Sequence, residues 1–98
     1  MSKNGLPAIH PGRFLHEILE ELNLSQAGLA RAIGVSAMRI SHVTKGTRPV
    51  TAELALLLGQ AFGQSPQYWL NLQTAYDLKT AEANLGKQLK AVPELAQI

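Results

Sequence analysis

The sequence predicts an all-α protein of five helices. Apolar residues recur every three or four positions in five successive segments, which is the spacing of one face of an α-helix. Serine, threonine or proline stands where most of these segments begin, and glycine stands where most of them end. The turn signals typical of strands and hairpins do not recur. Both observations favour a helical bundle over a sheet.

The first two helices have clear boundaries. The first opens at the HPG sequence of residues 10–12, where proline suits a first helical turn, and it ends near Asn23. The second is predicted over Gln26–Ile33. Ser25 is its N-cap, and Gly34 stops it.

The third helix follows after a very short break. Ser36 is a good N-cap for a helix over about residues 37–45, and Gly46 ends it. Pro49 disfavours a helical conformation at Arg48, so the link to the next helix is predicted to be extended.

Two further helices complete the prediction. Thr51 caps the fourth, which ends at Gly63. The serine and proline at 65–66 open the fifth and longest, which runs to about Leu85. Residues 86–98 are predicted to be a frayed tail.

Length and composition describe one domain. The chain has 98 residues, 46% of them apolar, and no cysteine, which excludes disulfides and thiolate metal sites. It has neither an apolar run of about 20 residues nor a secretory signal, so we expect a soluble, cytoplasmic protein. The expected organisation is a flexible N-terminus at 1–9, a domain at 10–85 and the tail.

Positive charge is concentrated in one quarter of the chain. The formal net charge is only +2, yet residues 25–50 contain four cations and no acid. This pattern favours a polyanionic partner, although scattered cations also occur on ordinary solvated surfaces. The four residues are Arg31, Arg39, Lys45 and Arg48.

The break between the second and third helices has the spacing of a helix-turn-helix. Ala30 is small where two helices must cross steeply, and Gly34 permits the quick reversal of the chain. Val35 and Ile40 are apolar where the joint meets the core, and Val43 follows at helical spacing. The alternative is an ordinary corner in a small bundle. The local positive charge and the polar third helix argue against that alternative.

In DNA-binding versions of this motif, the N-terminal residues of the second of the two helices meet base edges in the major groove. Arg39 suits either a bidentate bond to guanine or an ion pair with phosphate, and His42 suits DNA or solvent. Small apolar side chains there suit a thymine methyl group. The candidate base contacts are Ala37, Met38, Arg39 and His42.

Phosphate contacts are expected around both ends of the motif. Helix N-termini favour anions, and the link after the third helix is basic. Arg31 is interpreted as a solvated or distant cation. The candidate phosphate contacts are Ser25, Gln26, Ser36, Lys45, Thr47 and Arg48.

The sequence favours no enzyme, metal site or cofactor. His16 and Glu20 lie on one helix face, but the second histidine of a zinc-protease helix is missing. No phosphate-binding glycine loop or serine nucleophile motif is present. A second function class, a protein-interaction module whose third helix binds protein, stays open.

Two stretches give the chain a family resemblance. The sequence HPGRFLHEILEEL and the continuous stretch from LSQAGLARAIG to SPQYWLNLQTAYDL resemble the HigA-type, VapI-like antitoxins. These belong to the phage-repressor-like (XRE) helix-turn-helix regulators. The HPG sequence and the stretch SPQYWLNLQTAYDL are its specific parts. Phage repressors often carry glutamine where this chain has Ala37 and Met38, which shifts weight to Arg39 and to DNA shape.

The resemblance implies a homodimer that binds a palindrome and represses its own operon. It also implies a partner toxin of the HigB type, a RelE-like ribonuclease that cuts messenger RNA, or alternatively a stand-alone regulator without a toxin. Tyr68, Leu72 and Tyr76 lie at helical spacing on the fifth helix. The stripe of Trp69, Leu72 and Tyr76 on this helix is often plain core, but we expect part of the face to be shared between two copies. Tyr68, Leu72, Tyr76 and the segment after them are expected near the two-fold axis of the dimer.

Overall fold

The computed structural model describes residues 7–96 as an all-helical chain without strands. Residues 1–6, most of the predicted flexible N-terminus, and the last two residues of the tail lie outside the described range. The five predicted helices are confirmed. The helices are α1 (Pro11–Glu21), α2 (Gln26–Ile33), α3 (Ala37–Thr44), α4 (Ala52–Phe62), α5 (Pro66–Leu85) and α6 (Lys87–Lys90).

The sixth helix was missed because it lacks the signals that mark the others. It is four residues long, has no side-chain cap and no buried residue, and follows Gly86 directly. Helices α2 to α5 begin as predicted, each with a hydroxyl oxygen accepting a backbone N–H of the first turn. In α1 the acceptor is instead the His10 ring. The sequence does not predict this role, because histidine is not among the usual N-cap residues.

One apolar core joins α1 to α5. Trp69 is fully buried at its centre, and its indole N–H donates to Gln64 Oε1 at 2.8 Å. Each large side chain that is fully buried contributes about 1.5–3 kcal/mol. The first half of α5 therefore packs in the core, whereas Leu78 and Leu85 in its second half are exposed. The other buried apolar residues are Leu15, Leu19, Leu29, Ala30, Ile40, Val43, Val50, Leu54, Ala55 and Leu58.

The HPG sequence marks the place where α1 crosses α3. A Cβ atom built on Gly12 would lie 1.8 Å from the Val43 carbonyl oxygen and 3.0 Å from the Thr44 Cα atom. Only glycine lets the two backbones approach this closely. Pro11 beside it is buried at the first position of the helix. His10 therefore caps α1, Pro11 begins it, and Gly12 lets it pack closely against α3.

Gly12→Ala should destabilise the fold by about 1–3 kcal/mol, because the added methyl group must displace the α3 backbone rather than a flexible side chain. Urea unfolding followed by circular dichroism measures the change. The matched control is Gly28→Ala on α2, where the nearest neighbours of the added Cβ atom are side-chain atoms, the flexible end of Leu24 at 2.9 Å and the Ser25 hydroxyl oxygen at 3.1 Å. We expect that control to stay within about 1 kcal/mol of wild type, since alanine also favours the helix. Equal losses in both variants would contradict the steric explanation.

Candidate nucleic-acid interface

The joint between α2 and α3 is built by a small residue and a tight turn. The backbone N–H groups of Gly34 and Val35 both donate to the Ala30 carbonyl oxygen, at 2.9 and 3.0 Å. Gly34 has a φ of 78°, a left-handed conformation that costs glycine nothing. Ile40 and Val43 anchor the inner side of α3 in the core. The joint therefore leaves the opposite side of α3 facing outwards.

The predicted base contacts occupy the start of this outward side, but they differ in exposure. Ala37 and Met38 are exposed, Met38 by 67%. His42, one turn further, is half-buried. The three side chains offer two apolar groups and one polar ring to a partner.

Arg39 is engaged within the protein. Its guanidinium donates to Glu53 Oε1 and to Thr51 Oγ1, both at 3.1 Å. The charge pattern of the sequence does not predict this contact, because Glu53 lies just outside the acid-free stretch of residues 25–50. The N-terminus of α4 thus adjoins the first turn of α3.

Several predicted phosphate contacts also have internal hydrogen bonds. The hydroxyl oxygens of Ser25 and Ser36 accept the backbone N–H groups of Gly28 and Arg39, as N-caps. The Gln26 side chain donates to Thr44 Oγ1 at 3.1 Å, which ties the start of α2 to the end of α3. A hydroxyl that caps a helix retains its O–H as a donor. These side chains are therefore held in place and still have N–H or O–H donors for a phosphate.

The link at 45–50 contains the other three candidates and is fastened at both ends. The Thr47 N–H and Oγ1 both donate to the His42 carbonyl oxygen, at 2.9 and 3.1 Å. At the far end the Val50 N–H donates to the buried Gln73 Oε1 at 2.7 Å. Lys45, Thr47 and Arg48 are exposed. The link thus presents a polar edge beside α3 with two basic side chains, Lys45 and Arg48.

His10, at the start of α1, contacts the same link through a hydrogen bond to the Arg48 backbone. Its Nδ1 accepts the Gly12 N–H at 2.9 Å, and its ring lies edge-on to Tyr76 with centroids 4.9 Å apart. Burial lowers the pKa of His10 from 6.5, against a hydrogen bond to the Arg48 backbone and the charge of Asp77, which raise it. The neutral ring is the form that accepts from Gly12.

The fold brings one further cation, Arg13, to the basic side of the protein. Arg13, in the first turn of α1, lines a cleft of about 340 Å³ with Lys45, His10 and Thr44. Residues 1–24 carry a net negative charge, so nothing in the sequence connected Arg13 with the basic quarter. The crossing of α1 over α3 makes the connection.

The three candidate dimer residues share one side of α5. Leu72 and Tyr76 line a groove of about 280 Å³ together with Ile9, Phe14 and Ala75. Tyr68 lies one turn earlier, exposed, with its ring edge-on to a buried indole. Tyr76 also contacts His10 within the same chain. The groove is largely apolar and open.

Within residues 7–96, no three histidine or acidic side chains are grouped so that a metal ion would fit between them. Across the same range, no helix combines the length and apolarity that a membrane span needs.

Known proteins share this architecture. A profile of the helix-turn-helix family matches residues 15–69. Virulence-associated protein I of Dichelobacter nodosus is 51% identical over 81 residues, which is 82% of this chain and 75% of that protein. An addiction-module antidote protein of the HigA family from Coxiella burnetii superimposes with a TM-score of 0.88 at 40% identity, covering 91% of this chain and 99% of that one. Pseudomonas aeruginosa antitoxin HigA, solved with the higBA promoter, gives 0.86 and 42%, with 91% and 99% covered.

The fold and the outward-facing α3 define a helix-turn-helix protein. The chain belongs to the XRE-type helix-turn-helix family, in the group of HigA antitoxins and VapI-like proteins.

The His10 contacts predict a pH dependence of stability. Because the pKa of His10 is lowered in the folded chain, the unfolded chain binds the proton first as the pH falls below 6.5. The free energy of unfolding should therefore decrease from about pH 7 to about pH 5. His10→Asn retains a capping oxygen but loses the ring contact with Tyr76, so its stability at pH 7 should be lower. Because asparagine does not titrate, that stability should also vary less with pH.

Chemical denaturation at several pH values measures this effect. His16→Gln is the matched control, because His16 is exposed and paired only with Glu20 on its own helix. That control should keep the wild-type decrease. If His10→Asn lost stability with falling pH as steeply as wild type, His10 would not be the responsible group.

Proposed function

We propose that this chain is a sequence-specific DNA-binding repressor and the antitoxin of a toxin–antitoxin pair. The observation that carries the proposal is the outward-facing first turn of α3, mounted on the Ala30–Gly34 joint beside the basic link. A similar protein, the P. aeruginosa antitoxin HigA, was solved with a promoter, which supports the same role here. Nothing in this role requires enzymatic chemistry.

The first turn of α3 enters the major groove. Ala37 and Met38 present apolar groups suited to thymine methyls, and Arg39 and His42 supply hydrogen-bond donors to base edges. Two of these four side chains cannot form a strong hydrogen bond to a base. Part of the specificity therefore comes from DNA shape and deformability.

The rim of this surface holds the DNA backbone. The starts of α2 and α3 direct backbone N–H groups and the hydroxyls of Ser25 and Ser36 at phosphates, with Gln26 beside them. Lys45 and Arg48 contact the backbone on the other side. Thr47, predicted as a third contact, donates its hydroxyl proton to the His42 carbonyl oxygen and supports the link instead. These contacts supply affinity without sequence preference.

The acting unit is a homodimer on a palindrome. Two copies pair through the α5 groove lined by Leu72 and Tyr76, with Tyr68 one turn earlier on the same helix. The pairing sets two α3 helices one DNA turn apart, about 34 Å.

The protein partner is a RelE-like ribonuclease toxin of the HigB type, which this chain neutralises in the cytoplasm. The alternative is a stand-alone XRE-type regulator. The neighbouring gene separates the two, since a short basic ribonuclease reading frame beside this gene supports the pair.

DNA binding should weaken steeply with salt. In gel-shift titrations against the duplex upstream of its own gene, log K should fall linearly with log salt, by about 0.9 per phosphate neutralised. Arg48→Ala should reduce that slope by about 0.9 and weaken binding to all sequences alike. Arg31→Ala on α2 is the control with the same charge change and should keep the wild-type slope. Salt-insensitive binding by wild type would contradict the proposal.

Dimerisation should depend on the α5 groove. Ala75→Glu places a charge in the groove, so the dimer dissociation constant should rise about tenfold or more. Sedimentation equilibrium measures the change. Thr74→Glu, at an exposed neighbouring position that is not among the residues lining this groove, is the matched control and should remain dimeric. A wild-type chain that is monomeric at micromolar concentration would contradict the dimer.

A further inference from the structure

The Arg39 guanidinium is held by side chains from a different helix. The two oxygens that accept its hydrogen bonds, Glu53 Oε1 and Thr51 Oγ1, lie at the N-terminus of α4. The Arg39 side chain is 24% exposed, whereas that of Glu53 is 74% exposed. The pair therefore stands at the edge of the surface formed by the first turn of α3, with the cation on its inner side.

The position of the Thr51 hydroxyl is itself fixed by the start of α4. Its hydroxyl oxygen also accepts the Leu54 N–H at 3.2 Å, because Thr51 is the N-cap of α4. The preceding residue, Val50, is buried and donates its N–H to Gln73. The core and the start of the helix thus set the position of the hydroxyl independently of Arg39.

The charge of the pair limits what Arg39 can recognise. A guanidinium beside a carboxylate has little net charge with which to attract phosphate or release counterions. Two of its five N–H donors are engaged, and the others suffice for a bidentate contact with guanine O6 and N7. A side chain that is already held loses less freedom on binding. These properties favour a directional contact with a base.

We propose that Glu53 and Thr51 are positioning residues that fix the Arg39 guanidinium for reading one G·C base pair in each half-site. The proposal rests on the proposed function, because it requires the first turn of α3 to enter the major groove. Glu53 is then a specificity-determining residue even though its own charge repels DNA. General affinity is reduced, and discrimination is gained.

The test measures discrimination one base pair at a time with the full-length chain. The probes are the duplex that the wild type protects upstream of its own gene, the same duplex with each base pair replaced in turn, and a random duplex of equal length. Arg39→Ala should lose about 10–100-fold discrimination at one base pair of each half-site. Glu53→Gln keeps an acceptor oxygen but loses the charge that strengthens the hydrogen bond to the guanidinium. It should therefore lose about 5–10-fold at that same pair while binding the random duplex as tightly as wild type or more tightly.

The double variant tests whether Glu53 acts through Arg39. Glu53→Gln in the Arg39→Ala background should cause no further loss of discrimination. Glu17→Gln removes the same charge from the exposed face of α1 and should discriminate like wild type. The unfolding midpoint of Glu53→Gln should stay close to that of wild type, because an exposed ion pair adds little stability.

Two results would overturn the proposal. One is full discrimination by Glu53→Gln. The other is an equal gain in affinity for the upstream and random duplexes, which would make Glu53 only a repulsive charge. In both cases steeply salt-dependent binding by wild type leaves the proposed function standing. A wild type that binds no duplex overturns the function and the positioning role together.

Discussion

The burial of one side of α3 is the constraint on which the rest of the structure depends. An eight-residue helix is too short to be stable alone in water, so α3 exists only because Ile40 and Val43 are buried. Two neighbours supply that burial from different directions. The α2 joint brings Ala30 against it, and α1 crosses its end at Gly12, backbone against backbone. With these two contacts in place, the opposite side of the helix faces outwards, and it is the side that we propose reads the DNA.

The link after α3 is also held in place, and it forms the basic edge beside that helix. A loop with three exposed polar residues would ordinarily be mobile. Here the His42 carbonyl holds its beginning and Gln73, buried on α5, holds its end. His10 adds a third attachment from the start of α1. Lys45 and Arg48 are therefore presented at set positions relative to α3, which reduces the ordering cost of a DNA contact.

Charge is arranged for two different tasks on one face. Lys45 and Arg48 are exposed and have the net charge that attracts a polyanion. Arg39 is paired with Glu53 and directed by Thr51, so it contributes direction more than charge. In the role that we propose, arginine thus serves general affinity in the link and selectivity in the helix.

The sequence by itself determined the five main helices, their caps and the joint, because periodicity, capping and tight turns operate over a few neighbouring residues. It missed α6, which has neither a cap nor an apolar face. The tertiary structure alone decided the contacts between distant positions. These are Arg39 with Glu53, Arg13 beside Lys45, and His10 between α1 and the link. No local pattern encodes them, since each depends on how helices cross after the core has formed. The outward side of α3 was predictable from its spacing, whereas the neighbours that tune its side chains were not.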